Sequence, residues 1–258
     1  MCAKQNIPTN LRLLLLLEEV ANTGVPVTPT VVNNCLGLPK PTVHRLFSTL
    51  EAEGFLQRDL DGKSYSPGRR LREMSVGVLS SLRIRTARVA VLSELAAQVG
   101  ETCNIATPDR DCMLYLDRVE TKWPLRIQLP VGSSVPLHCT ASGKMYLSSL
   151  QRGHREQYLA AATLQKMTPA TMTDPDQLNT SLDQIRDQGY SIDNEEFLED
   201  MVACAVPIVD ARGRLVSTLS IHAPTQRMSL VTMCGYVPLM HDIAAKLTRL
   251  MLDDEAPA

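Results

Sequence analysis

The chain has 258 residues, of which 44% are apolar and 21% charged, the balance of a globular protein with one large or two ordinary domains. No stretch approaches the roughly 18 apolar residues that a membrane span requires. Seven cysteines, an odd number without a Cys-x-x-Cys pair, favour a reducing cytoplasm over a disulfide framework. These features argue against membrane-spanning and disulfide-rich secreted proteins.

The formal charge is distributed unevenly along the chain. Residues 1–87 hold 11 Lys and Arg against 7 Asp and Glu, whereas the remainder holds 15 against 21. A basic first third followed by an acidic body suits a nucleic-acid-binding domain joined to a second domain. Chance asymmetry between solvated faces explains the same numbers, so charge alone leaves both interpretations open.

The first third predicts two helices, a turn and a third helix. Residues 10–22 are dense in leucine, a threonine precedes the short helical stretch over 28–36, and Gly37 suits the turn between two helices. The helix predicted over 39–53 opens with prolines, which a first turn tolerates. Its apolar side chains form one helical stripe, namely Val43, Leu46, Phe47 and Leu50.

A β-hairpin is predicted directly after the third helix. Residues 55–58 and 63–66 are its two short segments, and the Asp-Gly pair at 61–62 is a strong hairpin signal. Helix, helix, turn, helix and hairpin is the order of a winged helix-turn-helix domain. We assign this domain to residues 1–68.

The remainder predicts a mixed α/β domain, so the expected fold class is α+β. Residues 69–99 are mostly helical, with a linker helix over 69–88 and the second domain over 89–258. Strands are predicted over 103–106, 113–119, 125–129, 202–209 and 215–221, and helices over 140–150, 176–188 and the last 25 residues.

The polar face of the 39–53 helix is the candidate DNA-reading surface, because an α-helix fits the major groove with its first residues at the base edges. Arg45 can reach guanine through two hydrogen bonds, whereas Lys40 and Thr42 suit phosphates. The hairpin residues Arg58 and Lys63 can contact the DNA backbone or the minor groove. The full candidate set is Thr28, Lys40, Pro41, Thr42, His44, Arg45, Ser48, Arg58 and Lys63. An amphipathic helix with a solvated polar face is the alternative.

Small residues open the predicted helix that starts near Thr140. The N–H groups at a helix start attract anions, and small side chains let a ligand approach closely. A carboxylate effector is therefore the expected ligand. A well-capped, tightly packed helix without a ligand is the alternative.

Residues 37–46, 50–56 and 65–68 together resemble the IclR family of bacterial transcription regulators, and the likeness extends over nearly the whole chain. The resemblance implies a GAF-like C-terminal effector-binding domain, a homodimer or homotetramer, double-stranded palindromic operator DNA as partner, and a small organic acid as effector. A population shift between states of different DNA affinity would then link the acid to transcription.

The resemblance also implies the positions that line the effector pocket. The matching residues are Ala141, Ser142, Asp193, Ala203, Ser220 and His222, with apolar walls from Ile127, Leu129 and Val135. Ala203 stands where members often have Cys, and Cys204 is expected on the opposite side of the strand. His222 replaces a smaller polar residue; it can add positive charge or a hydrogen bond, and it narrows the pocket. The identity of the effector therefore does not follow from glyoxylate- or pyruvate-sensing relatives.

Three other functions remain open from the sequence. Zinc in the effector pocket, held by His138, Cys139, Cys103, Cys204 or His222, would make a metal-responsive regulator, although no pair has zinc-finger spacing. An enzyme would use Cys139 or Cys204 as nucleophile and His138 or His222 as base, without a supporting motif. A ligand-binding or dimerisation module whose helix-turn-helix binds protein is the third.

Overall fold

The structure is a computed structural model that describes residues 7–59, 61–79, 82–124, 126–127 and 129–252. The chain divides into two compact units. Unit 1 comprises the described residues up to Leu79, and unit 2 comprises those from Leu82 onward. Within these ranges, no helix is both long and apolar enough to cross a membrane.

Unit 1 has the predicted order of helices and hairpin. Its elements are α1 (Arg12–Thr23), α2 (Pro29–Leu36), α3 (Lys40–Ala52), β1 (Leu56–Arg58), β2 (Tyr65–Pro67) and α4 (Arg69–Leu79). The strands pair antiparallel, with Leu56 opposite Pro67. The winged helix-turn-helix prediction is thereby confirmed.

The turn between α2 and α3 is held by local hydrogen bonds. The Thr28 hydroxyl accepts from the Val31 N–H at 3.4 Å and caps α2. Gly37 ends α2 with a φ of 62°, a left-handed conformation that glycine adopts without strain. The Asn33 side chain donates to the Leu38 carbonyl and accepts from the Leu38 N–H, each at 2.8 Å. These contacts fix where α3 begins.

The apolar stripe of α3 packs into the core of unit 1. Val43, Phe47 and Leu50 are buried there, and the rings of Phe47 and Tyr65 lie 4.9 Å apart. Because the stripe faces inward, the polar side chains of α3 are left at the surface.

Unit 2 contains an antiparallel sheet with helices on both faces. Its elements are α5 (Leu82–Val99), β3 (Thr102–Asp109), β4 (Cys112–Val119), β5 (Ser134–Pro136), α6 (Ala141–Ser149), α7 (Arg152–Ala161), α8 (Pro175–Gln188), β6 (Ser191–Asn194), β7 (Met201–Val209), β8 (Leu215–Pro224), α9 (Leu230–Cys234) and α10 (Val237–Leu252). The strand order is β5-β4-β3-β8-β7-β6. Helix α6 packs against one face, and α5 and α10 pack against the other. The predicted α+β class is confirmed.

The structure corrects one prediction for this region and adds elements that were not predicted. The strand predicted over 125–129 is wrong, because its described residues lie in a loop between Pro124 and Pro130, which lack the N–H donors of a strand ladder. The strand beside β4 is β5 instead, and Leu125 and Gln128 lie outside the described residues. Helix α7 was not predicted, and residues 253–258 of the predicted last helix also lie outside the described part.

Candidate DNA-binding surface and effector site

The exposed face of α3 carries three cationic or ionisable side chains. Lys40, His44 and Arg45 are all exposed. None of these side chains forms an ion pair or hydrogen bond with another residue that the structure describes. They are thus available to an external partner, and they lie in the first half of the helix, the end that enters a major groove.

The other predicted residues of this region differ in exposure. Pro41 and Ser48 are exposed beside them, whereas Thr42 is half-buried. The Thr28 hydroxyl caps the N-terminus of α2, so it contributes to the stability of that helix.

The β1–β2 hairpin is the wing of the domain, and its two predicted DNA-contacting cations differ in their side-chain contacts. Arg58 pairs with Glu51 at 2.8 Å, donates to the Gly62 carbonyl at 3.0 Å and stacks over the Tyr65 ring. Its hydrogen bond lowers the pKa of the Glu51 carboxyl. Lys63 is exposed at the turn and has no side-chain partner among the described residues. Arg58 therefore stabilises the wing, while Lys63 is free to meet phosphate.

Four predicted effector residues lie on one face of the sheet in unit 2. Asp193 is paired with Ala203 across β6 and β7, and Ala203 with His222 across β7 and β8. Ser220 lies two residues before His222 on the same strand, so its side chain points to the same side. Directly opposed residues of antiparallel strands share a face. The register therefore brings Asp193, Ala203, Ser220 and His222 together.

Helix α6 begins at Ala141, close to the start that the sequence predicts, and contacts β6, β7 and β8. The Thr140 hydroxyl accepts from the Gly143 N–H at 3.1 Å and caps the helix. Gly143 allows a close approach, because a Cβ there would lie 2.4 Å from the Leu137 carbonyl oxygen. Ser142 is 2% exposed, and its Oγ has no hydrogen-bond partner among the described residues. Ser191 donates its hydroxyl hydrogen bond to the Ala141 carbonyl and so joins α6 to β6.

The Asp193 carboxyl is buried in a polar cluster. It accepts from the Glu196 N–H at 2.8 Å and from the Phe197 N–H at 3.3 Å. Burial raises the pKa of Asp193 to about 7, although nearby Lys144 opposes the shift. Lys144, itself buried, forms an ion pair with Glu196.

His222 is a buried neutral imidazole. Its Nε2 lies 3.1 Å from the Ser220 hydroxyl, and its ring meets the Tyr115 ring edge-on. Burial and the nearby Arg118 guanidinium lower the pKa of His222 to about 3. This environment favours the hydrogen bond over the positive charge among the two contributions that the sequence leaves open, and the role of His222 toward an effector stays a prediction.

The predicted apolar walls line two different cavities. Ile127 and Leu129 line a cavity of about 460 Å³ together with Met201 and Pro224. Val135 belongs to the apolar core against which Leu129 packs, but it lines a separate cavity of about 620 Å³. The structure thus places Val135 away from the cavity that Ile127 and Leu129 share.

The structure also shows the surroundings of the cysteine and histidine side chains that the zinc and enzyme hypotheses named. Within the described residues, no three His, Cys, Asp or Glu side chains are grouped so as to hold a metal ion. His138 contacts the Gln165 carbonyl at 2.9 Å rather than a thiol. Burial raises the pKa of Cys139 and Cys204 to about 12, which keeps both thiols protonated. Cys204 is paired with Ile221, on the face opposite Ala203, as the sequence predicts.

Sequence reasoning missed several polar residues around this site. They are Asn104, Tyr115, Arg118, Lys144 and Glu196. An available signal was a charged residue inside an otherwise apolar strand or helix, as for Arg118 in β4 and Lys144 in α6. Such residues are rarely buried without a specific partner.

A winged helix with an exposed basic face, followed by a sheet unit with a buried polar face, is the architecture of a DNA-binding transcription regulator. The family described as IclR helix-turn-helix domain matches residues 11–60. The family described as Bacterial transcriptional regulator IclR C-terminal matches residues 76–249. The chain belongs to the IclR family of bacterial transcriptional regulators.

Individual relatives match between 64% and 94% of this chain. The probable transcriptional regulator SauR of Cupriavidus necator is 36% identical over 88% of this chain and 90% of its own length. The crystal structure of Thermotoga maritima IclR is 27% identical, with a TM-score of 0.63 over 94% of this chain and 98% of that one. The inducer-binding domain of the Acinetobacter transcription factor PobR, a double mutant in complex with 3-hydroxybenzoic acid, is 27% identical, with a TM-score of 0.60 over 64% of this chain and 98% of that one.

Proposed function

We propose that this protein is a regulator that senses a small organic acid in unit 2 and responds by changing its affinity for a palindromic operator. The observation that carries the acid-sensing part is the buried hydroxyl of Ser142, which has no partner within the described residues at the start of α6. A buried polar group without a partner destabilises the fold, so a bound ligand that satisfies it is stabilised.

The surroundings of Ser142 favour a polar ligand. Asp193, Ser220 and His222 add polar groups on the face of the sheet strands that α6 contacts, and Ala141 and Ala203 have small side chains. The start of a helix attracts negative charge. The PobR domain, which binds 3-hydroxybenzoic acid, supports an acid for this chain as well.

We assign DNA binding to residues 1–68, the linker helix to 69–88 and effector binding to 89–258. A homodimer or homotetramer would present two α3 helices to two half-sites, which is why a palindrome is expected. The protein would act in the cytoplasm, where the DNA is. The raised pKa of Cys139 and Cys204 disfavours the alternative of an enzyme that uses one of them as nucleophile.

A thermal-shift and gel-shift pair tests this proposal. Small carboxylates should raise the melting temperature, and the stabilising acid should change the retention of the protein's own upstream DNA. His222→Ala and Asp193→Ala should reduce the thermal shift, whereas His241→Ala, an exposed histidine of the same unit, should not. A response to zinc with none to any acid would contradict acid sensing.

A further inference from the structure

The cavity that Val135 lines is at the outer edge of the sheet in unit 2, and no other predicted effector residue lines it. Its volume of about 620 Å³ is within the range typical of small-molecule sites. The lining comes mainly from β5, which is an edge strand, and from the C-terminal end of α7. Val135 and Leu137, both buried, give the cavity apolar contacts.

The part of the lining formed by residues 134–138 is held in place by its neighbours. The Thr140 hydroxyl donates to the Pro136 carbonyl at 2.6 Å. Gly143 of α6 approaches Leu137 closely, because a Cβ there would lie 2.4 Å from the Leu137 carbonyl oxygen. Strand β5 also pairs with β4. These contacts fix this side of the cavity before any ligand binds, which lowers the entropic cost of binding.

The charge and the helix dipole that line the cavity are both negative. Asp111 supplies a carboxylate that forms no ion pair or hydrogen bond with another described residue. Ala161 and Ala162 are at the C-terminal end of α7, where the helix dipole is negative and the last carbonyl groups lack helical partners. No Lys or Arg occurs among the described lining residues, and Arg110, which precedes Asp111, is not one of them. A cation is therefore favoured here over an anion.

Two ring side chains of the lining offer hydrogen-bonding groups to a ligand. Tyr158 is half-buried, and its hydroxyl has no partner among the described residues. Burial raises the pKa of Tyr158 to about 12, so the hydroxyl stays protonated. The Nε2 of His138 lies 2.9 Å from the Gln165 carbonyl, which can only accept, so Nε2 donates and Nδ1 of the neutral ring is left as an acceptor. Both oxygen and nitrogen can accept from the N–H groups of a ligand.

We infer that this cavity is a second small-molecule site, which binds a primary amine with an apolar body. The ammonium group contacts the Asp111 carboxylate, the Tyr158 ring and the end of α7, as charge-assisted hydrogen bonds and cation–π contacts require. The apolar body lies against Val135 and Leu137. The ligand carries the opposite charge to the proposed acid effector, so this site does not depend on acid sensing.

The probe is benzylamine, a primary amine with an aromatic body, added to the full-length chain. Benzyl alcohol has nearly the same shape without the charge, and methylammonium has the charge without the apolar body. Benzylamine should raise the melting temperature, and its Kd by calorimetry should be at least about tenfold lower than that of either comparison compound.

Two substitutions test the residues that recognise the amine. Asp111→Asn keeps the size of an exposed side chain and removes its charge, so it should weaken benzylamine at least about fivefold and leave benzyl alcohol unchanged. Tyr158→Phe keeps the ring and removes the hydroxyl, so it should weaken benzylamine about threefold. Asp187→Asn is the matched control, because it removes an exposed carboxylate of α8 that does not line the cavity.

Three results would overturn the inference. Equal affinity for benzylamine and benzyl alcohol would show that the cavity does not recognise a cation. Equal affinity of Asp111→Asn and Asp187→Asn for benzylamine would place the amine elsewhere on the protein. No binding of benzylamine to the wild type at millimolar concentration would leave the cavity without this function. Acid sensing stands or fails separately, through the carboxylate screen.

Discussion

The two units differ in where their candidate DNA-binding and effector-binding side chains lie, at the surface in unit 1 and buried in unit 2. In unit 1, Lys40, His44 and Arg45 are exposed and project from a helix whose apolar stripe is fully used by the core. In unit 2, His222 and Asp193 are buried within a sheet face. An exposed basic surface can bind a large polyanion such as DNA through its charge, without a cost to the stability of the fold. A buried site recognises a small molecule through fixed donors and acceptors, at the expense of its own stability.

The largest expected effect tests whether the units are independent. Gly143→Ala would place a Cβ 2.4 Å from the Leu137 backbone, and Gly68→Ala would place one 2.4 Å from the Gly54 carbonyl oxygen. Each should destabilise its own unit by about 3 kcal/mol or more, because backbone cannot move aside. Trp123, the only tryptophan of the chain, lies in unit 2, so its fluorescence during urea unfolding reports that unit.

Gly153→Ala is the control, since no atom lies within 4 Å of the added Cβ in α7. It should stabilise unit 2 slightly through helix propensity. Loss of DNA binding by Gly143→Ala at a temperature where unit 1 remains folded would show that the units do not act separately.

The second effect concerns the pH dependence of unit 2. Because burial raises the pKa of Asp193 from 3.8 to about 7, the folded state holds a proton that the unfolded chain has released. The free energy of unfolding should therefore fall as pH rises from about 4 to about 7, by roughly 1.4 kcal/mol per pH unit at most. Asp193→Asn, which keeps the size of the side chain, should remove this slope in urea titrations. An unchanged slope would mean that Asp193 is not the source of the pH dependence.

The third effect tests the reading surface of unit 1. Arg45→Ala should weaken binding to the operator about 10- to 100-fold, with much less effect on unrelated DNA, because Arg45 is expected to contact a base. The measurement is a gel shift with both DNAs. Arg152→Ala removes an exposed arginine of unit 2 and should leave binding unchanged. Equal losses on both DNAs would assign Arg45 to a phosphate.

The smallest effect distinguishes the two wing cations. Lys63→Ala should weaken binding to all DNA sequences alike and reduce the slope of log K against log salt by about 0.9, the signature of one phosphate contact. Arg58→Ala should alter the salt slope less, because Arg58 is held by Glu51 and the Gly62 carbonyl. Identical slopes for both variants would contradict this assignment.

The secondary-structure predictions for unit 1 are confirmed because the signals that carry them are local. Gly37, the prolines at the start of α3 and the Asp-Gly turn each restrict a few neighbouring dihedral angles, and the structure contains the element that each one predicts. The strand predicted over 125–129 failed for the converse reason. Alternation of apolar residues is only a weak signal for a strand there. Ile127 is buried, but it lies in a loop and not in a strand.

The sequence by itself determined the winged helix, the start of α6 and the alternation that separates Ala203 from Cys204, because these depend on residues close together in the chain. Only the tertiary structure decided which buried groups meet. A bulge in β3–β4 pairing lets Tyr115 and Arg118, three residues apart, share the face that carries the predicted effector residues, although strict alternation would separate them. Asn104, Arg118 and Ser220 come together through strand register, which depends on packing across the whole sheet.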